Sequence, residues 1–366
     1  MTVGFDSPLP PARTGVADYA TALLAALRRH GTVEVNPRRA DAWLYHLGNN
    51  QLHRDIYERA LARPSVVVLH DAVLQHFFLG SLSEQEYVKE FAYNYGEWHG
   101  ELARQLWRGR SSSGLSHRYY MYPMLRRIAE VSRAVVVHNP AAARMVREHA
   151  PRARVVEIPH LFALRDLPSE AEAQRYRQKL GLSPRQFVFG VFGYLRESKR
   201  IMNILRAFEK IHRSVPHNVL LICGDFVSCD LARAAEPLLG APGVLRLRHL
   251  PEREFWLAAS AADACINLRY PGAGETSGIS VRMMGIAKPV MVTTGEETVR
   301  YPETACFRIP PGVAEKASLT EYSVLAASLP DSAREIGKRG AEHIHSFHSL
   351  ERVAEQYWET LCAYGR

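Results

Sequence analysis

The stretch Gly274-Glu275-Thr276-Ser277-Gly278-Ile279-Ser280-Val281-Arg282 concentrates residue types suited to holding a ligand. It follows the apolar run Ala264–Leu268 and leads into a helix-like segment, Ser280–Ile286. The hydroxyl pair Thr276 and Ser277 lies between Gly274 and Gly278 at a strand-to-helix turn, which makes an anion cradle. The amides there are unspent, the glycines admit close approach, and the helix dipole adds positive potential. A carboxylate in such a turn repels phosphate. Glu275 therefore suits a neutral, hydroxyl-rich group beside the phosphate, such as a sugar, and phosphate plus sugar points to a nucleotide sugar.

Three further constellations could do chemistry. Gly193-Tyr194-Leu195-Arg196-Glu197-Ser198-Lys199-Arg200 lies between the apolar run Phe187–Phe192 and the helical pattern Ile201–Ser214. Cations at a helix N-terminus oppose the dipole by a few tenths to about 1 kcal/mol each. A diphosphate bridged by Lys199 and an arginine, Arg196 or Arg200, would relieve that conflict and be stabilised as it departs. Solvated side chains partnered by Glu197 are the plain alternative. His70-Asp71 ends the run Val68-Leu69 and reads either as packing and capping or as a pair in which His70 meets a substrate hydroxyl. Pro10-Pro11-Ala12-Arg13-Thr14-Gly15-Val16-Ala17-Asp18-Tyr19 opens the first helix, with Thr14 or Gly15 as cap and Asp18 in the first turn. The Gly15 turn could also bring amides to a donor phosphate. There is no Gly-x-Ser-x-Gly elbow, Walker lysine loop or Gly-x-Gly-x-x-Gly fingerprint, which disfavours a hydrolase, an NTPase or a dehydrogenase.

The elements that must carry these turns are strand-like runs alternating with amphipathic segments. The runs are Thr2–Phe5, Ala42–Leu47, Ser65–His70, Ala134–His138, Val155–Ile158, Phe187–Phe192, Val219–Gly224, Val244–Leu247, Ala264–Leu268 and Pro289–Thr293. Most are rich in Val and Ile without polar alternation, as parallel strands buried on both faces require. Helical patterns lie between them, among them Ala17–Arg29, Arg54–Ala62, Ile201–Ser214 and Glu252–Ala262. The pattern occurs twice, which predicts an α/β chain of two Rossmann-like doubly wound domains facing across a cleft. The expected boundaries are 1–164 for the first domain and 165–184 for a polar linker followed by an exposed helix. A second domain follows at 185–345, then a C-terminal helix at 346–366 that could cross back to the first. Residues 74–133 interrupt the first repeat with a segment rich in Tyr, Phe, Trp, Arg and His around the Ser-rich loop Arg110–Gly114. Helical packing explains such an insertion, and so would an acceptor-binding or membrane-touching surface.

Composition bounds the rest. A 366-residue chain that is 47% hydrophobic and 23% charged is a globular protein with room for two cores. No apolar run approaches the roughly 18 residues of a bilayer span, and the first residues carry no basic-then-apolar leader. The cysteines Cys223, Cys229, Cys265, Cys306 and Cys362 are odd in number and lack Cys-x-x-Cys spacing. They read as reduced thiols of a cytoplasmic protein rather than disulfides or a metal site. A net charge of +8 favours anionic partners. The basic residues are dispersed, with no basic run and no nucleic-acid motif, so phosphorylated small molecules fit better than nucleic acid. Weak contact with an anionic membrane surface at the inner face is compatible with the same charge.

Taken together, Pro-x-x-Thr-Gly-Val-Ala-Asp-Tyr near the start, Leu69-His70-Asp71, Phe192–Arg200, Leu268–Gly278 and Gly-Ile-Ala-Lys-Pro-Val at 285–290 resemble the family 4 retaining glycosyltransferases of the GT-B fold. The resemblance implies metal-independent transfer of a hexose from a nucleoside-diphosphate sugar to an acceptor hydroxyl, with no cofactor. The acceptor would be a glycan, a lipid-linked sugar or a small molecule, and the setting assembly of a cell-surface polysaccharide or glycolipid. It implies that Lys199 contacts the donor diphosphate, that Glu275 lies beside the donor sugar as the first glutamate of a Glu-x7-Glu motif, that His70 lies near the sugar, and that Gly15 is the N-terminal loop glycine. Gly193, Arg196, Arg200, Thr276, Ser277 and Gly278 would complete the site. Two positions depart from the pattern: the second glutamate falls on Met283, and the arginine five residues before the lysine falls on Tyr194. A sugar-nucleotide epimerase of the same architecture, or a nucleotide-sugar-binding scaffold that has lost catalysis, remains open at this point.

Overall fold

A computed structural model describes residues 1–12, 14–163 and 167–365. Arg13, in the first constellation, and Arg165 and Asp166, in the expected linker, lie outside them. The chain forms two compact units. Unit 1 comprises Met1–Ala163, Pro271–Thr276 and Phe347–Arg366, and unit 2 comprises Leu164–Tyr270 and Ser277–Ser346.

In unit 1 the chain runs β1 (Thr2–Asp6), α1 (Gly15–Leu27), β2 (Thr32–Val35), β3 (Ala42–Leu47), α2 (Arg54–Ala62) and β4 (Val66–Leu69). The insertion follows as α3 (Gln75–Ser81), α4 (Glu84–Tyr95), α5 (Gly100–Arg108) and α6 (Arg126–Val131), with short 3-10 turns between them. Then come β5 (Ala134–Val137), α7 (Pro140–His149) and β6 (Val155–Glu157). The strands form one parallel sheet in the order β2-β1-β3-β4-β5-β6. Every residue of β3, β4 and β5 is buried, so apolar side chains cover both faces. Val3, Phe5, Leu44, Val66 and Val136 pack with Leu23 and Leu27 of α1 on one face. Tyr45, Leu47, Val67, Leu69 and Val135 pack with the insertion helices on the other, through Phe77, Tyr87 and Phe91.

In unit 2 the chain runs α8 (Glu170–Lys179), β7 (Phe187–Phe192), α9 (Ile201–Ser214), β8 (Asn218–Cys223), α10 (Cys229–Leu239), β9 (Val244–Leu247) and α11 (Glu252–Ala261). It continues through β10 (Ala264–Asn267), α12 (Gly278–Gly285), β11 (Val290–Thr293), β12 (Phe307–Ile309), α13 (Glu315–Ser328) and α14 (Pro330–Phe347). The parallel sheet has the order β12-β11-β10-β7-β8-β9. Read in chain order this is 3-2-1-4-5-6, so the strand order reverses between β7 and β10. Ligands of open α/β sheets sit beyond the carboxyl ends of the strands at such a switch point.

The helix expected to be exposed after the linker is instead built into unit 2. Ser169 and Glu172 form a capping box that starts α8. Arg177 is buried and donates to the Ala261 carbonyl at 2.9 Å and to Asp263 at 3.1 Å. The guanidinium thereby ties α8 to the end of α11, which a polar-looking helix would not advertise in sequence. The last helix, α15 (Leu350–Tyr364), belongs to unit 1, where Val353, Tyr357 and Leu361 join the core under α1. Among the described residues no helix is long and apolar enough to cross a membrane.

Candidate functional site

The turns flanking the unit 2 switch point carry the expected diphosphate residues. Gly193 follows β7 with φ +79°, a conformation that glycine alone adopts without strain. A Cβ there would come within 3.1 Å of the Lys199 Nζ and 3.8 Å of Ile279 in α12. The Gly193 turn, the Lys199 ammonium and the start of α12 therefore meet. Lys199 is buried, and its ammonium donates to the Phe192 carbonyl at 2.6 Å, which pins the charge at the end of β7. Burial pushes the Cys265 thiol of β10 up to about 12 against the opposing pull of Lys199 and Arg269, so both cations act on the adjoining strand end.

Ser277 caps α12. Its Oγ accepts from the Ser280 amide at 3.4 Å and from the Asn267 Nδ2 at 2.6 Å, and Asn267 also donates to the Ser280 hydroxyl at 2.5 Å. Arg269 Nη2 approaches the same oxygen at 3.4 Å. Ser277 is thus consumed in orienting the helix, and the amides of Gly278 and Ile279 are the groups left to an anion, backed by the dipole.

The arginines of the second constellation divide in their roles. Arg200 has φ +59°, and its Nε donates to Glu315 Oε1 at 2.9 Å and Oε2 at 3.1 Å. Glu315, the first residue of α13, is fully buried and also accepts from Asn203. Arg200 is therefore paired with a buried carboxylate inside unit 2. Arg196 is exposed and has no ion-pair partner among the described residues, so it is the arginine of this turn available to an incoming anion. Met283, where the resemblance predicts a glutamate, is fully buried in α12 and offers no polar group. Tyr194 stacks on His249 with ring centroids 6.1 Å apart.

Glu275 and Thr276 belong to unit 1 together with His70 and Gly15. Gly274 has φ +67°, and a Cβ would meet Ala72 at 2.7 Å. That close approach lets the Ala72 amide donate to the Ala273 carbonyl at 2.8 Å. Asn139 caps α7 through the Ala142 amide and turns its Nδ2 to the Gly274 carbonyl and the Thr276 hydroxyl, both at 2.9 Å. Thr276 donates to the His138 carbonyl at 3.3 Å. Glu275 accepts the Ala273 amide at 2.6 Å. The loop is therefore fastened to the carboxyl ends of β4 and β5, beside His70. Gly15 opens α1 under a Thr14 cap, and nothing stands within 4 Å of where its Cβ would be.

His70 does not pair in the way its sequence neighbour suggests. Asp71 Oδ2 accepts the Asn49 amide at 2.8 Å. The ring of His70 sits instead in a row of imidazoles. Its Nε2 lies 3.0 Å from His46 Nδ1, and its Nδ1 lies 3.3 Å from His138 Nε2. His138 Nδ1 faces the Ile158 carbonyl at 2.9 Å. A carbonyl only accepts, so that nitrogen carries the proton, and the remaining tautomers follow in sequence. His138 Nε2 accepts from His70 Nδ1–H, and His70 Nε2 accepts from His46 Nδ1–H. His46 Nε2 is left as a buried acceptor with no partner. Desolvation holds His46 down to about 3 and His138 down to about 4, and it drives His70 well below its usual value with the other histidines adding to the effect. Tyr19 of α1 covers the row, with centroids 4.8 Å from His70 and 4.9 Å from His160, and its hydroxyl meets that of Tyr357 at 2.9 Å. Both nitrogens of His70 are thus engaged within the row.

Sequence reasoning missed His46, His138, His160, Asn139 and Glu315. A signal was present for the histidines: His46 lies in a strand-like run, and His70, His138 and His160 each lie within three residues of a strand end. Polar residues there are unusual in otherwise apolar runs. Nothing local distinguishes Glu315.

No protein-family profile and no curated protein sequence matches the chain. Solved structures do. Sucrose-phosphate synthase from Thermosynechococcus elongatus aligns with a TM-score of 0.70 at 15% identity, over 99% of each chain. HepE from Anabaena, crystallised with UDP-glucose, aligns with a TM-score of 0.67 at 15% identity, over 99% of this chain and 100% of that one. WaaG, a glycosyltransferase involved in lipopolysaccharide biosynthesis, aligns with a TM-score of 0.65 at 14% identity, over the whole of both chains. At such identities the likeness is one of fold: the chain has the two Rossmann-like units of the GT-B architecture.

Proposed function

We propose that the protein is a retaining hexosyltransferase that moves a sugar from a nucleoside-diphosphate donor to an acceptor hydroxyl without a metal. The observation that carries this reading is the meeting, at the unit 2 switch point, of the Gly193 turn, the buried Lys199 ammonium and the α12 amides. A diphosphate there would receive charge-assisted hydrogen bonds from Lys199 and Arg196 and dipole stabilisation from α12. Such groups act most strongly as the bond from the anomeric carbon to the phosphate oxygen breaks and charge gathers on the leaving group. The acceptor oxygen forms the new bond from the same face, and its proton passes to the departing phosphate. In this reading Glu275 and His70 take the sugar-side roles that the resemblance implies, and the neutral imidazoles around His70 add no charge that would repel or trap a substrate. The likeness in fold to HepE, crystallised with UDP-glucose, supports the donor class, and that to WaaG, involved in lipopolysaccharide biosynthesis, supports a place in cell-surface glycan or glycolipid assembly.

The test is thermal stabilisation of the purified protein by UDP-, GDP-, ADP- and dTDP-sugars in the absence of metal. A ligand at 100 times its Kd adds about 2.7 kcal/mol to the folded state. A shift confined to one nucleotide supports the reading and names the base. No shift with any of them at millimolar concentration removes it.

A further inference from the structure

The insertion carries an open surface pocket of about 470 Å³ within unit 1, lined by His76, Gly80, Arg108, Arg110, Ser111 and Ser113 over the buried Leu79. Two arginines and two serines are among the residues that line it, and no carboxylate is. We propose that it binds the phosphate group of a phosphate-bearing acceptor. The acceptor role rests on the transferase reading above, whereas phosphate binding itself does not.

The geometry favours a phosphate over other anions. Arg110 stacks on Trp107, with its guanidinium carbon 4.3 Å from the ring centroid, and donates Nη1 to the Trp107 carbonyl at 2.9 Å. That contact fixes the guanidinium plane, and planar forks are what phosphate recognition uses. His76 is oriented from behind. The Asn49 Oδ1 accepts the Phe77 amide at 2.9 Å, so the Asn49 Nδ2 must be the donor to His76 Nδ1 at 3.1 Å. This places the imidazole proton on Nε2 and makes the ring a donor. Ser111 and Ser113 lie in the 3-10 segment Arg110–Leu115 and supply hydroxyl donors. Leu115, two residues beyond Ser113, is exposed, so an apolar side chain follows the basic loop directly in the chain. That combination suits an amphiphile with an anionic headgroup.

The experiment measures binding of two probes to the full chain at 50 mM salt: glycerol 3-phosphate, and phosphatidylcholine vesicles containing 30 mol% phosphatidic acid. It compares the wild type with Arg108→Gln/Arg110→Gln, Arg108→Lys/Arg110→Lys and Ser111→Ala/Ser113→Ala, each checked for an unchanged melting temperature. Binding of at least one probe is expected, weakened about tenfold or more by the glutamine pair, as loss of charge-assisted bonds requires. The lysine pair should lie between that and wild type, and 500 mM salt should weaken binding in every variant that keeps both cations and least in the glutamine pair. Should the glutamine pair misfold, the serine pair, on the loop surface, carries the same test with a smaller loss. Vesicle binding alone identifies a lipid-borne phosphate, and binding of glycerol 3-phosphate identifies a soluble one. Absence of binding by either probe, or equal binding by every variant, overturns the site. Stabilisation by nucleotide sugars is read in parallel on the same proteins, so loss of the phosphate site and loss of the transferase reading give different results.

Discussion

Acidification should unfold unit 1 through its histidines, and the size of the effect follows from their burial. His46 is held at about 3, and His53 and His138 at about 4, chiefly by desolvation. An unfolded histidine titrates near 6.5. Between those limits the unfolded chain binds protons that the folded chain refuses. The stability is therefore complete above pH 6.5 and falls as the pH drops, until the folded groups protonate near pH 3–4. At pH 5 each of the three contributes a loss of about 2 kcal/mol relative to pH 7.5, or about 6 kcal/mol together. His70, shifted in the same direction, adds to that. A typical domain has only about 5–15 kcal/mol in total, so the unit should approach its unfolding midpoint near pH 5. The assay is urea unfolding followed by tryptophan fluorescence at pH 7.5, 6.5, 5.5 and 5.0, with Trp43 of β3 as a buried reporter. His46→Gln keeps a donor toward His70 and removes one titrating group, so its slope against pH should be shallower by about 1.4 kcal/mol per pH unit. A stability flat from pH 7.5 to 5.0, or folded-state imidazole resonances that titrate near 6.5, would refute the burial argument and the neutral imidazole row built on it.

Lys199→Ala should lower turnover by about 10²-fold or more while leaving the melting temperature of the unliganded protein close to wild type; steady-state rates with the donor found by the nucleotide panel check it, and near-normal activity removes Lys199 from the leaving group. Glu275→Ala should weaken the thermal response to the nucleotide sugar more than that to the free nucleotide, and equal losses would place Glu275 away from the sugar. Glu315→Ala should destabilise unit 2 by about 2–4 kcal/mol, because it strands a half-buried guanidinium on Arg200 and the amide of Asn203; denaturant midpoints read this directly, and Glu315→Gln should be milder. Gly274→Val should loosen the loop, since it forces a branched side chain into a left-handed backbone against Ala72; an unchanged response to nucleotide sugar would show that the fastening of Glu275 is dispensable.

Much of this was legible in the residues because parallel strands buried on both faces are simply apolar. The runs Ala42–Leu47, Phe187–Phe192 and Val244–Leu247 and the helices Arg54–Ala62 and Ile201–Ser214 coincide with observed elements to the residue. The strands that escaped notice are edges. β2 is Thr-Val-Glu-Val with one buried residue, and β12 is three residues long, so neither carries the continuous apolar signal. The strand-to-helix turn at Ser277 was readable from its residue types, since Ser there can cap the helix, as it does through the Ser280 amide. The partners of those residues were not readable. Arg200 meets Glu315 across more than a hundred positions, and His70 meets His46 and His138 through strand adjacency. Charge at a turn suggests an anion, but only the fold says whether a carboxylate from elsewhere already occupies it.

The two sheets share a topology class and present opposite chemistry at their carboxyl ends, which bears on where an anion can bind. In unit 2 the ends of β7 and β10 gather Lys199, Arg269 and the amides of α12, and Arg196 adds an exposed charge on the first of those turns. In unit 1 the ends of β3 to β6 gather His46, His70, His138 and His160, of which the first three are buried and kept neutral by desolvation. A neutral imidazole row with fixed tautomers can position dipoles but supplies no net charge to a phosphate. Protonating it to gain such a charge would cost the stability that burial of the neutral rings provides. A diphosphate of the kind proposed above would therefore be favoured at the strand ends of unit 2 over those of unit 1 on electrostatic grounds. What unit 1 offers at the corresponding strand ends is hydrogen-bond geometry and apolar contact from Tyr19, the chemistry that suits an uncharged sugar.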